Sequence, residues 1–250
     1  MTGASGGIGR VIALTLAGAG ADIGLLGRDV AAMRDVAREI EDLGSRAAVA
    51  PMDLLAPDSV DAAVRRLEEQ LGPAQLLVCN SGVAGPATPL WEYPIDAFES
   101  VLDVNLRGTF LCCRAVLPGM VARRAGSVVV IGSVAGKRPT HGRSAYCAAK
   151  AGLIGLVRTM ALEAGPHGVR VNMVVPGGVA GRRLSETVDE VVAATGADPD
   201  EVLASYSDGA PLRRLVQPED IAETVSFLLS DRAANITGED VNVTAGLVMH

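Results

Sequence analysis

Residues 127–150 read SVVVIGSVAGKRPTHGRSAYCAAK and join a short apolar run to a helical pattern. The run 127–131 is bounded by glycine on both sides, which is typical of a buried strand. Ser133 follows the end of this strand, and the helical pattern that comes next carries Tyr146 and Lys150. Open α/β sheets build their sites at the ends of strands, so we expect the three side chains to lie close together.

Tyr146 and Lys150 are four residues apart, so a helix presents the phenol and the ammonium on one face. A tyrosine with an ordinary pKa of about 10 is a poor acid–base catalyst at neutral pH, and a neighbouring cation favours its phenolate. Of the 22 basic residues only Lys137 and Lys150 are lysines, which indicates that a compact ammonium is needed here. The alternatives are a chance Tyr–Lys pair and, for Ser133, an ordinary turn serine.

Apolar patterning alternates between short runs and longer helical stretches along the whole chain. The predicted strands are 22–26, 47–50, 75–78, 127–131, 169–175 and 241–243, and the predicted helices are 8–19, 29–43, 58–71, 96–122, 144–164 and 218–229. This alternation predicts a single α/β domain over residues 1–250 with a doubly wound parallel sheet. The polar segment 182–210 departs from the pattern, and we interpret it as a substrate lid.

Composition narrows the classes of partner. The balance of 22 basic and 29 acidic residues gives a net charge of −7, and the basic residues are scattered. Nucleic acids and anionic membranes need concentrated Lys and Arg, so we expect neither as a partner. A run of about 18 uncharged apolar residues is absent, which argues against a membrane span. Four cysteines without CxxC spacing predict no metal site and a cytoplasmic protein with reduced thiols.

Residues 2–9 read TGASGGIG, a glycine-rich turn ahead of a helical pattern. Such a turn lets backbone approach a pyrophosphate, which a helix N-terminus attracts, although many of these turns bind nothing. The cofactor contacts predicted here are Gly3, Ser5, Gly7, Ile8 and Gly9. Dinucleotide folds place a buried strand before this loop, whereas Met1 alone precedes it here. We therefore expect the first strand to be missing and the natural start to lie upstream.

Together these features resemble the short-chain dehydrogenase/reductase family, and the resemblance runs from Thr2 to the C-terminus. Further motifs agree in order: Asp53-Leu54, CNSG at 79–82 where the family usually has NNAG, Asn105, Pro176-Gly177, and TGE at 237–239. The resemblance implies a Rossmann-like fold, a bound nicotinamide dinucleotide, and hydride exchange between an alcohol and a carbonyl.

The resemblance also implies a role for each residue. Tyr146 would be the general acid/base and Ser133 would hold the substrate oxygen. Lys150 would lower the pKa of the tyrosine and bind the nicotinamide ribose, while Asn105 would position a water that relays protons to Lys150. The other implied cofactor contacts are Asp53, Leu54, Asn80, Gly82, Pro176, Gly177 and Val179. Gly181 replaces the threonine that usually contacts the nicotinamide amide.

Gly27 and Arg28 bear on the choice of cofactor. Family members that use NAD carry an acid at the position of Gly27, where it bonds the ribose 2′-OH and repels a 2′-phosphate. Arg28 offers a guanidinium, which binds phosphate bidentately, so NADP(H) is favoured over NAD(H). Gly6 departs from this expectation, since many NADP-dependent relatives are basic there. Arg28 as a solvated surface charge is the alternative.

The resemblance leaves the substrate open. Segments such as YCAAKAGLIG and SDRAANITGE resemble 3-oxoacyl-carrier-protein reductases, in which two arginines dock the carrier; Arg124 matches one, and His167 replaces the other. Segment 182–210 and the final NVTAGLVM instead resemble polyol and secondary-alcohol dehydrogenases. Two other hypotheses are a non-catalytic dinucleotide-binding sensor or partner subunit, and a fragment that does not fold alone. The family usually forms tetramers, so we expect a homo-oligomer, a tetramer or a dimer.

Overall fold

The structure is a computed structural model that describes the backbone of residues 1–250 and all side chains except those of residues 194 and 195. Its strands all pair in parallel, in the orders β1–β2 and β3–β4–β5–β6. They are β1 (Ile23–Gly27), β2 (Ala47–Pro51), β3 (Leu76–Cys79), β4 (Gly126–Ile131), β5 (Val169–Pro176) and β6 (Asp240–Val243).

Residues 1–3 lie between β1 and β3 and connect the two groups of strands. Thr2 N donates to Val78 O at 3.0 Å, and Leu26 N donates to Met1 O at 2.9 Å. Gly3 N donates to Leu26 O at 3.1 Å on the same side. The sequence predicts that the first strand is missing. In the structure, residues 1–3 occupy its central position in the sheet and form backbone hydrogen bonds with both β1 and β3. The sheet order is therefore β2–β1–(1–3)–β3–β4–β5–β6.

Helices cover both faces of the sheet. They are α1 (Gly7–Gly18), α2 (Val30–Asp42), α3 (Pro57–Leu71), α4 (Ile95–Leu102), α5 (Gly108–Arg123), α6 (Ser144–Ala164), α7 (Arg182–Thr195), α8 (Pro199–Asp208) and α9 (Pro218–Leu229). One apolar core joins the sheet to α1, α2 and α9, and a second core joins it to α3, α5 and α6. The fold is therefore the doubly wound α/β arrangement that the sequence predicts.

Strand β4 shows why the strands of this sheet can be predicted from their apolar residues. Val128 and Val130 face the core of α3, α5 and α6, while Val129 and Ile131 face the core of α1, α2 and α9. Side chains alternate between the two faces of a strand, and both faces are buried here, so the strand is apolar without interruption. Such continuous runs mark the centre of a parallel sheet.

The predicted strands and helices are present, with boundaries that differ by one residue at most. One prediction needs correction: the helix predicted over 96–122 is divided by a π-helical turn at Asp103–Arg107, between α4 and α5. Asn105 lies in this turn, and its side-chain Nδ2 donates to Val101 O at 2.8 Å. A side chain inserted into the backbone ladder in this way is a known cause of such local rewinding.

The lid, residues 182–210, consists of α7 and α8. Leu184 and Val188 of α7 pack against Val202 of α8, so the two helices share a small apolar core of their own. Asp198 accepts hydrogen bonds from the first turn of α8 and caps it. The lid is thus a helical hairpin set outside the sheet cores.

The span Ser144–His167, α6 with the turn that follows it, has 24 residues and a mean hydropathy of 1.2, which is long and apolar enough to cross a membrane. In this fold Leu153, Val157 and Met160 of the helix are buried in the core of α3, α5 and α6. A core helix passes the same test of length and composition.

The close contact between α1 and residues 1–3 predicts that substitution of Gly9 lowers the stability of the protein. A Cβ on Gly9 would lie 2.0 Å from Gly3 O, whereas a Cβ on Gly18 of the same helix would meet no heavy atom within 4 Å. We expect Gly9→Ala to lower the free energy of unfolding by about 1–3 kcal/mol through overpacking. Gly18→Ala is expected to be neutral or to raise it by about 0.5–1 kcal/mol. Urea denaturation measures both; equal stabilities would contradict the close packing at Gly9.

Candidate active site

The carboxyl ends of the parallel strands form one edge of the sheet, and the predicted site residues follow these ends. Across the edge they are Asp53 and Leu54 after β2, Arg28 after β1, Gly3 in the segment 1–3, Asn80 and Gly82 after β3, Ser133 after β4, and Pro176, Gly177 and Val179 at and after the end of β5. Parallel pairing therefore gathers residues that are distant in sequence along one cleft.

Lys150 is hydrogen-bonded through its side chain to the end of β4. Its side chain is buried at 4% exposure, and Nζ donates to Ile131 O at 2.8 Å. The same ammonium lies 5.7 Å from the centre of the Tyr146 ring. Because Ile131 is the last residue of β4, this bond holds the ammonium at the strand end where Ser133 begins the next turn.

The side chain of Ser133 lies close enough to the phenol of Tyr146 to lower its pKa. Ser133 Oγ also accepts from Ala135 N at 3.2 Å, which fixes the hydroxyl at the start of a short 3₁₀ turn. The structure therefore brings Ser133, Tyr146 and Lys150 together, as the spacing predicts. A serine that served only its own turn would need no contact with the phenol.

The charges around Tyr146 favour its phenolate. Burial raises the pKa of the phenol, but Lys150, Arg183 and the Ser133 side chain lower it by more, so the pKa lies below its ordinary value. Burial also lowers the pKa of Lys150, with a contribution from Arg183 in the same direction and an opposing one from Tyr146. A half-buried phenol with a depressed pKa is suited to give and take a proton at one atom.

Asn105 lies beside this pair, in the π turn. Its Nδ2 donates to Val83 O and to Val101 O, both at 2.8 Å, while its buried Oδ1 has no hydrogen-bond partner among the described groups. A Cβ on Gly82 would lie 2.5 Å from that Oδ1 and 3.7 Å from Lys150 Nζ. Glycine at 82 thus keeps the space between amide and ammonium clear, as the predicted water relay to Lys150 requires.

The glycine-rich turn has two kinds of glycine. Gly3 and Gly9 pack against each other, and Asn80 Nδ2 donates to Gly3 O at 2.8 Å, so these glycines serve contacts within the protein. Gly7 has φ +53° and nothing within 4 Å of its Cβ position, and it begins α1. Ser5 is exposed and Ile8 is half-buried on either side of it. The open part of the turn, at the N-terminus of α1, is where an anion can approach.

Arg28 is exposed just after β1 and has no ion-pair partner among the described residues. The neighbouring Asp29 carboxylate is already engaged, because it accepts from Ala32 N at 3.0 Å and caps α2. A Cβ on Gly27 would lie 3.2 Å from Met33 Sδ. The end of β1 therefore presents a free guanidinium next to a carboxylate that caps α2.

The other predicted contacts lie in loops that are fixed by their own hydrogen bonds. Asp53 Oδ1 accepts from Leu55 N at 2.9 Å, and Leu54 packs against the helix start at Gly108. Gly177 N donates to Val243 O at 2.9 Å, after the end of β5 at Pro176, and Val179 pairs with Val216. These loops border the cleft on both sides of Tyr146.

Two arginines near the site escape the sequence analysis. Arg183 of α7 acts on the charges of both Tyr146 and Lys150, and Arg143, three residues before Tyr146, is buried. In the sequence Arg183 is one of several scattered basic residues in a polar segment. The position of Arg143 just before the Tyr–Lys pattern is the feature that could have identified it, but its partner, Glu190, lies 47 residues away in the sequence.

The cleft fits a dinucleotide by its own chemistry. An open helix N-terminus at Gly7 offers unpaired backbone N–H groups for a pyrophosphate. The buried Lys150 ammonium and the Tyr146 phenol lie at the far side of the same edge, where a reacting ring would lie beside them. Among the described side chains, no group of three or more His, Cys, Asp or Glu could hold a metal ion.

Comparison with known proteins agrees with this geometry. A family model described as enoyl-(acyl carrier protein) reductase matches residues 3–248. Cis-4-hydroxycyclohexanecarboxylate dehydrogenase of Sinomonas cyclohexanicum is 36% identical over 98% of this chain and 94% of its own. The structure of NAD⁺-bound xylitol dehydrogenase has a TM-score of 0.94 at 30% identity, covering 98% of this chain and 96% of that one. An actinorhodin polyketide ketoreductase with NADPH has a TM-score of 0.93 at 29% identity, covering 98% and 95%.

The effect of Arg183 on Tyr146 is testable without any ligand. Arg183→Gln removes a positive charge that lowers the pKa of the phenol, so we expect the Tyr146 phenolate to form at higher pH than in the parent. ¹³C NMR of ring-labelled tyrosine resolves this, since the chain has three tyrosines. Arg182→Gln is the control, because Arg182 pairs with Glu186 on the exposed side of the same turn. Equal titrations in all three proteins would show that Arg183 does not act on Tyr146.

Proposed function

Since this chain belongs to the short-chain dehydrogenase/reductase family, whose members act on CH–OH groups, we propose that it is an NADP(H)-dependent oxidoreductase. It would interconvert a ketone and a secondary alcohol, with Tyr146 as general acid/base. The observation that carries the proposal is the cluster of half-buried Ser133 and Tyr146 with the buried Lys150, whose Nζ donates to Ile131 O at the end of β4 at 2.8 Å.

In the direction of reduction, the phenol of Tyr146 gives its proton to the carbonyl oxygen while hydride arrives at the carbonyl carbon. The bound nicotinamide cofactor supplies that hydride. Ser133 donates a hydrogen bond to the same oxygen, and the Lys150 ammonium stabilises the phenolate that remains. Asn105 would position a water that relays a proton to Lys150. In oxidation the phenolate takes the alcohol proton instead.

The preference for NADP(H) rests on the end of β1. The free Arg28 guanidinium suits a 2′-phosphate, and the neighbouring Asp29 carboxylate is hydrogen-bonded to the first turn of α2. Relatives of this fold bind nicotinamide dinucleotides of both kinds, as the NAD⁺-bound xylitol dehydrogenase and the NADPH-bound ketoreductase illustrate. The charge at position 28 therefore carries this part of the proposal.

For the substrate we favour a small ketone or polyol over a 3-oxoacyl thioester on a carrier. Arg124 and His167 precede β4 and β5, at the amino edge of the sheet, whereas Tyr146 belongs to the carboxyl edge. A carrier docked on those residues would lie across the sheet from the tyrosine of the same subunit. In addition, Arg124 donates to Pro166 O at 2.9 Å, so its guanidinium is partly used within the chain.

The non-catalytic alternative, a sensor or partner subunit, would not need the Tyr146–Lys150 pair.

The proposal also includes a cytoplasmic location and a homo-oligomer, either a dimer or a tetramer. Phe110 of α5 and Leu162 of α6 support the oligomer, since they are large apolar side chains that are 46% and 78% exposed on the outer faces of these helices.

The acid–base role predicts the outcome of Tyr146→Phe. We expect kcat for the reduction of ketones with NADPH to fall by about 10²–10⁴-fold, because the proton donor is lost, while the Kd for NADPH stays within about threefold. A panel of cyclic ketones, ketoses and 3-oxoacyl thioesters, followed by NADPH absorbance, also ranks the substrate classes. Tyr93→Phe is the matched control, since the Tyr93 hydroxyl is buried without a hydrogen-bond partner among the described groups.

A Tyr146→Phe protein that reduces ketones as fast as the parent would show that the assigned acid is wrong. A parent that binds NADPH and turns over none of the panel would favour the sensor or partner alternative.

The cofactor preference predicts the outcome of Arg28→Ala. We expect the Kd for NADPH to rise about 10-fold or more, the usual range for a charge-assisted hydrogen bond, with the Kd for NADH unchanged. Fluorescence titration measures both constants, and Arg66→Ala on the exposed face of α3 is the control. Equal losses for both cofactors would contradict a contact with the 2′-phosphate.

A further inference from the structure

Arg143 is the residue immediately before α6, three positions ahead of Tyr146. Its side chain is only 9% exposed, and Cys147 N donates to its backbone carbonyl at 2.8 Å in the first turn of the helix. A buried guanidinium needs partners for its donors, because it keeps its charge at any ordinary pH. Its partners therefore show which segments it holds.

Those partners come from two walls of the cleft. Arg143 Nη1 donates to Gly85 O in the loop after β3, and Nη2 donates to Glu190 Oε2 of α7 at 2.9 Å. The adjacent Gly142 supports the first contact, since Thr88 N donates to Gly142 O at 3.0 Å. Arg143 thus joins the loop after β3, the start of the tyrosine helix and the lid in one place.

The two ends of the ion pair differ in a way that suits a movable contact. Arg143 is 9% exposed and keeps its bond to Gly85 O, whereas the Glu190 side chain is 59% exposed. If the lid moves away, the carboxylate returns to water, and the guanidinium keeps its hydrogen bond to Gly85 O. The lid helix is therefore the partner that leaves.

The lid packs mainly helix against helix. Its helices share their own apolar core, and its first helix starts after Gly181, which has φ +133°. Its far end leads to Arg213, which has φ +45°. Among the described side chains, the Arg143–Glu190 pair is the ion pair that links the lid helices to the body of the protein.

We propose that Arg143 and Glu190 form the latch that positions the lid over the cleft and so determine how tightly the substrate binds. Arg143 is a positioning residue: it acts through α7, and it takes no part in proton transfer. This role rests on the proposed function for its effect on KM, but the latch itself concerns only the lid and α6.

The test uses Glu190→Gln in the full-length chain, with hydrogen exchange and kinetics as separate readouts. We expect amides of α7 to exchange about 3–10-fold faster, and KM for the ketone to rise by a similar factor with kcat within about twofold. Arg143→Lys keeps the charge but cannot bind Gly85 O and Glu190 at the same time as a guanidinium does, so we expect it to raise the exchange rate and KM as well. In the double variant Arg143→Gln/Glu190→Gln, the effects should be less than additive.

The control is Glu186→Gln, which breaks the exposed Arg182–Glu186 pair within α7 and should change neither readout. Unchanged exchange in α7 of Glu190→Gln would overturn the latch whatever the enzyme's activity. Faster exchange with an unchanged KM would keep the latch and overturn its effect on substrate binding. A parent without ketone turnover would count against the proposed function alone, because the exchange result still decides whether the latch exists.

Discussion

The site depends on one hydrogen bond, from the buried ammonium of Lys150 to the carbonyl of Ile131. Ile131 ends the strand β4, whose side chains are buried on both faces, so the acceptor lies on the most rigid part of the sheet. The bond places the cation beside Tyr146 and leaves Ser133 at the next turn. Without it the ammonium would have no anchor to offset its burial, and the phenol would lose the first of the charges that lower its pKa.

The parts of the fold that the sequence predicts are those governed by two-sided burial. A central parallel strand must be apolar on both faces, and the helices that cover it must carry an apolar residue every three to four positions. Strands such as 127–131 and helices such as 144–164 can therefore be predicted directly from the sequence. Ser133, Tyr146 and Lys150 are predictable for a related reason, since strand ends and helix faces follow from the same periodicities.

Other features depend on contacts that no local pattern encodes. The π turn at 103–107 inserts its extra residue without changing which side chains are apolar, so Asn105 is readable as an unusual helix residue but not as the cause of a rewound turn. Residues 1–3 are too few to show a strand pattern, yet their backbone pairs with strands on both sides. Gly9 resembles a phosphate-loop glycine in sequence, while its missing Cβ serves the packing of α1 against Gly3.

The distribution of charge connects the scaffold to its chemistry. The chain carries a net charge of −7, but the cleft holds Lys150, Arg183 and, at the end of β1, the free Arg28. In the proposed function these cations would attract an anionic dinucleotide to one edge of the sheet. Two of these cations, Lys150 and Arg183, also depress the pKa of Tyr146, so residues that would attract the cofactor also prepare the acid. Lys150 belongs to α6 and Arg183 to α7, and it is where the parallel strands end that both act on one phenol.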